Sequence, residues 1–181
     1  GGTIKDLPGN AADLSFTSPT NAIAALVDGD TPYVVNYVTP TDGTYSPGQD
    51  IEFSLVFSEA VDVAGGTPFV NLDLEGSLKE ADYLSGSGTD TLVFKYTAIT
   101  GDVDLTGIEI DNAINLDGAT IQDSGTTNAL LSMAPPLTPN VLVDGTLPTV
   151  ATITPPTDNT YTLGQELYFI FKYNVAVDVI G

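Results

Sequence analysis

Carboxylates are almost the only side chains in this sequence that could do chemistry. The 181 residues hold 24 Asp and Glu against 4 Lys, with no His, Cys or Arg. The usual nucleophile–base pairs, thiolate ligands and guanidinium clamps are therefore absent, and only carboxylates could act as acid and base. A glycosidase would set two of them across a deep cleft, which nothing in the chain marks, so no enzyme is expected. The acids stand instead in short motifs: VDGD with Asp28 and Asp30, SEAVD with Glu59 and Asp62, and GDVD with Asp102 and Asp104. VDG recurs with Asp144, and NVAVD carries Asp178. Such oxygens suit calcium, which takes six to eight of them. Asp is equally at home in turns, where its side chain caps the local backbone. Neither an EF-hand loop nor the GGxGxDx nonapeptide is present to decide between these readings.

The formal net charge of −20 excludes whole classes of partner. Nucleic acid binding needs a basic footprint, and an anionic membrane surface is disfavoured for the same reason. No apolar run is long enough for a membrane span, so no direct membrane insertion is expected. With no Cys, the chain has neither disulfides nor zinc–thiolate sites, and the redox compartment is left open.

What must position these acids is a repeat. TDGTYSPGQ at 41–49 returns as TDNTYTLGQ at 157–165, and Thr157/Thr41, Tyr161/Tyr45 and Gln165/Gln49 all differ by 116. The match runs without a gap from Val27–Gly65 to Val143–Gly181. GGTIKDLPGNAADLS at 1–15 aligns with GATIQDSGTTNALLS at 118–132, one residue further apart. The chain reads as the tail of one repeat (1–29), a complete repeat (30–146) and the head of another (147–181). A unit of about 116 residues is domain-sized, far longer than a solenoid repeat.

Within the unit the pattern is β. In IEFSLVF, Ile51, Phe53, Leu55 and Phe57 alternate onto one face, and Leu167, Phe169, Phe171 and Tyr173 repeat that spacing. Further strands are expected at 33–38, 69–74, 78–84, 90–96, 107–116 and within 129–143, separated by Gly- and Pro-rich turns. Seven short strands in one unit predict an all-β, immunoglobulin-like antiparallel β-sandwich in tandem repeats.

GTYSPGQDIEFSLVFSEAVDVAGGTPFVNLDL, SGSGTDTLVFKYT and GGTIKDLPGNAADLS together resemble the immunoglobulin-like tandem repeats of giant, RTX-type bacterial surface adhesins. The resemblance covers essentially the whole chain. It implies an extracellular extender on the bacterial cell surface, rigidified by calcium and holding a ligand-binding region away from the cell. Its partners would be neighbouring repeats of the same chain. The charge agrees with that role. Residues 31–146 hold 12 Asp, 5 Glu and 2 Lys, a net −15, so an array extends by self-repulsion unless cations neutralise it.

In a sandwich of this kind, the connection between repeats lies beside the loop joining the second and third strands. SEAVD is placed on that loop, which puts Asp28, Asp30, Glu59 and Asp62 at one junction. Asp144, Asp178, Asp102 and Asp104 would form the next. A carbohydrate-binding module of a secreted polysaccharide enzyme is the alternative reading. A surface-layer or filament subunit, self-assembling on the cell surface, is a further one.

Overall fold

The computed structural model describes residues 3–13, 15 and 29–180. It is an all-β sandwich with no helix among them. β1 (Val34–Val38), β2 (Gly43–Tyr45), β3 (Asp50–Ala64), β4 (Phe69–Leu74), β5 (Ser77–Ser85) and β6 (Thr89–Thr97) come first. β7 (Val103–Asp104), β8 (Glu109–Asn115), β9 (Thr120–Gln122) and β10 (Val141–Asp144) complete residues 30–146. The main sheet runs β1-β3-β6-β5-β4-β8, with β9 added to the far half of β3, and β2-β10-β7 form a second sheet. Apart from the parallel β2–β10 pair, neighbours in both sheets are antiparallel.

The expected alternation along 51–57 decides the core. Ile51, Phe53, Leu55 and Phe57 are at most 2% exposed and pack with Leu72, Leu92, Phe94, Ile108, Val141 and Val143. Burying each large side chain of this kind is worth roughly 1.5–3 kcal/mol. Phe53 stacks on Phe94 at 5.8 Å between ring centroids, and Tyr83 meets Phe94 edge-on at 6.1 Å.

The recurring TYxxGQ motif is a corner that bonds to itself. Tyr45 Oη donates to the Thr41 carbonyl at 2.9 Å, and the Ser46 N–H donates to Gln49 Oε1 at 2.6 Å. Gly48 adopts φ 89° to close the turn. The second copy makes the same bonds, Tyr161 Oη to the Thr157 carbonyl and Thr162 N–H to Gln165 Oε1, around Gly164 at φ 93°. Tyr45→Phe removes one such bond from the folded unit and should cost about 1 kcal/mol in urea denaturation. Tyr161→Phe, outside the buried core, should leave that transition unchanged.

One expectation is corrected. SEAVD is not a loop: β3 continues through it to Ala64, after a register shift between Val56 and Val61. The reason is β9, whose residues 120–122 pair with 62–64 and extend the sheet where a turn was expected. The equivalent NVAVD at 174–178 forms no strand.

Candidate functional site

The candidate acids within residues 30–146 fall at two ends of the sandwich. Thr97 pairs with Asp50 at the start of β3, and the loop after β6 carries GDVD. Val143 and Asp144 of β10 pair with Asp104 and Val103, so the chain leaves at this C-terminal pole. The chain arrives at the opposite side, where Tyr33 and Ser58 exchange hydrogen bonds and Leu130 N–H donates to the Pro32 carbonyl. Asp30 and Glu59 line one cleft of about 410 Å³ with Thr31, Tyr33 and Ser58. Glu59 lies nine positions along β3 from Asp50, roughly 30 Å of extended chain.

At the N-terminal pole the structure therefore brings together Asp30 and Glu59, two of the four acids assigned there. Asp62 is exposed and accepts from Ser87 Oγ at 3.5 Å, away from that cleft's lining. Asp28 lies outside the described residues. Asp123, one residue past the Asp62–Gln122 pair, was missed by the sequence reading. It is 3% exposed, with Oδ1 accepting the Thr127 N–H at 2.8 Å. Its Oδ2 is buried without a hydrogen-bond partner. A buried oxygen left so is costly unless a proton or cation meets it. In the alignment of 1–15 with 118–132, Asp123 corresponds to Asp6. There Asp6 Oδ1 also accepts the N–H four residues on, at 2.7 Å, but Asp6 is exposed.

These donors match calcium in kind, being hard oxygens. Among the described residues, however, no three acids converge closely enough to hold an ion. An ion at this pole would need further oxygens, with Asp28 a candidate to supply one.

The C-terminal pole is built differently. Asp102 is 3% exposed, and its carboxylate takes the Lys79 ammonium at 2.8 Å, the Tyr96 hydroxyl at 2.5 Å and the Ile99 N–H at 2.9 Å. Burial is the largest single influence on this carboxyl and opposes ionisation, yet Lys79, Tyr96 and Ile99 together outweigh it and hold its pKa below the ordinary value. Burial, then the hydrogen bond and charge of Asp102, push the Tyr96 phenol up, so it stays a donor. Asp102 is thus neutralised by a lysine and has little left to offer an ion.

Asp104 is 2% exposed and spends Oδ1 on the Thr106 and Gly107 N–H groups, capping its own turn. Asp144 caps Thr146 at 3.0 Å, and that N–H lowers its pKa. Asp178 is exposed in the extended segment after β12 (Ile170–Tyr173). Asp104 and Asp144 lie diagonally across the β7–β10 pairing, and their carboxylates serve local turns.

That backbone pairing clamps the departing chain. Gly145 N–H donates to the Asp102 carbonyl at 2.6 Å, and Gly101 N–H donates to the Gly145 carbonyl at 3.0 Å. A Cβ on Gly145 would sit 2.6–2.9 Å from the Ile99 carbonyl oxygen and the Asp102 backbone. Glycine is required at position 145 because backbone closes on it from two sides.

Comparison with known proteins gives no match: no family model, curated protein or solved structure is similar to this chain.

Proposed function

We propose that this chain is a structural spacer of a large bacterial surface adhesin, in which tandem sandwiches hold a ligand-binding region away from the cell. The observation that carries this reading is the path of the chain. It arrives beside Glu59 and leaves beside Asp102, at opposite ends of one β-sandwich, so every unit adds length rather than folding back. A charge near −15 per unit favours extension and opposes association of neighbouring arrays. The carbohydrate-binding alternative draws less support, because the Tyr37 hydroxyl accepts the Ala134 N–H at 2.8 Å and Tyr33 has no equivalent at Thr149.

In this reading calcium acts at the N-terminal pole, where Asp30 and Glu59 would hold it with oxygens from the arriving connection. The C-terminal pole is held by the Lys79–Asp102 pair instead. A thermal melt of the full chain in chelator, then in rising calcium or magnesium, tests the assignment. The melting temperature should rise saturably with calcium and little with magnesium, which dehydrates reluctantly and demands octahedral geometry. Asp30→Asn with Glu59→Gln should remove most of the rise. Equal responses to both ions, scaling with ionic strength alone, would leave the acids as a solvated surface and end the calcium assignment.

A further inference from the structure

Residues 149–174 repeat the β1–β3 pairing of 33–58 while leaving its core face uncovered. β11 (Val150–Thr154) pairs with β12 through Val150↔Tyr173, Thr152↔Lys172, Ile153↔Phe171 and Thr154↔Ile170. Each pair lies 116 positions beyond a β1–β3 pair: Val34↔Phe57, Asn36↔Val56, Tyr37↔Leu55 and Val38↔Ser54. The register shift recurs at the same place. So does the flanking bond, Ser58 N–H to the Tyr33 carbonyl becoming Asn174 N–H to the Thr149 carbonyl.

Burial is where the two copies part. Ile51, Phe53, Leu55 and Phe57 are 0–2% exposed, whereas Leu167, Phe169, Phe171 and Tyr173 are 38–56% exposed. A two-stranded sheet with an open apolar face and a free edge is poorly stable alone and is a template for strand addition.

We propose that β11–β12 is the acceptor half of a second sandwich, and that its occupant is a block of strands of the sequence type of residues 66–146. The first unit supplies the register. β6 pairs with the edge of β3 through Ile51↔Tyr96, Phe53↔Phe94 and Leu55↔Leu92. The incoming strand of that type would therefore set its Tyr96, Phe94 and Leu92 equivalents opposite Leu167, Phe169 and Phe171. Its Lys95 equivalent, opposite Tyr168, would lie diagonally from Glu166, much as Lys95 now reaches Asp50 at 3.1 Å. The proposal rests on the tandem-repeat part of the spacer reading and is independent of calcium.

The test compares hydrogen exchange in the full chain with that in the same chain lengthened after Gly181 by a second copy of residues 66–146. Amides of 166–173 should slow by at least about 100-fold in the lengthened chain. A second cooperative unfolding transition should appear, in chelator as well as in calcium. Phe169→Asp in the lengthened chain should remove that transition and leave the one belonging to 30–146. Amides that remain fast despite the added copy would overturn the proposal. So would hairpin-to-hairpin association of two chains with the added segment left unprotected. Protection in chelator supports strand addition even where the calcium titration fails.

Discussion

Lys79→Met should destabilise the sandwich by about 3 kcal/mol at neutral pH, because it leaves the Asp102 carboxylate buried without its cation. Removing one partner of a buried ion pair costs roughly 3–5 kcal/mol, and the low end applies because the Lys79 side chain is 23% exposed. The pH dependence separates this cause from lost packing. In the native protein the Asp102 pKa is depressed, so its contribution is present above the unfolded-state value of about 3.9 and is lost as pH falls through the folded value. In the variant burial is opposed only by Tyr96 and Ile99, and the carboxyl pKa moves up. The group then destabilises at high pH and ceases to do so once protonated.

Urea denaturation at pH 7 and near pH 4.5 should therefore show the gap between the two proteins narrowing as the solution is acidified. Adding Asp102→Asn to the variant should recover part of the loss at pH 7. A variant as stable as the native protein at both pH values would show the pair to be a solvated contact. A gap independent of pH would assign the loss to packing of the Lys79 stem.

This pair also shows where sequence reading stops. The core of β3 was legible because its period is two and a second copy keeps it: Ile51, Phe53, Leu55 and Phe57 are buried as the alternation requires. The bounds of β4, Phe69–Leu74, follow directly from the turn residues on either side. Glu59 and Asp62, by contrast, are expected on a loop because an immunoglobulin-like sandwich sets a connection between its second and third strands there. No local signal announces that Thr120–Gln122 arrives to extend the strand. Lys79 and Asp102 are 23 positions apart on different elements, and their meeting is a product of tertiary folding. Asp102 is expected at a junction from the place of its GDVD loop in the repeat, and that place does not reveal the lysine the fold brings to it. Asp123 was passed over for the converse reason, since a turn aspartate and a buried orphan look alike until burial is known.

The clamp on Gly145 carries the second large effect. Gly145→Ala should destabilise the unit by about 1–3 kcal/mol, the usual range for forcing a methyl into a packed site, toward the upper end here. The obstructing atoms are the Ile99 carbonyl oxygen and the Asp102 backbone, 2.6–2.9 Å from the new Cβ, and backbone cannot turn aside as a side-chain tip can. Relief comes by opening the Gly145 N–H bond to the Asp102 carbonyl, which also loosens the β7–β10 pairing at Asp104 and Val103. The loss should therefore be local. Amides of 141–146 and 101–104 should exchange faster than the global unfolding of the variant allows, while those of Leu55 and Phe94 follow global stability. Gly29→Ala provides the contrast, since no atom lies within 4 Å of a Cβ placed there. Uniform acceleration in Gly145→Ala would mean that the clamp is simply part of the core. Local acceleration would make Val143–Gly145 a latch that sets the direction in which the chain leaves this sandwich, held by backbone contacts and by no ion.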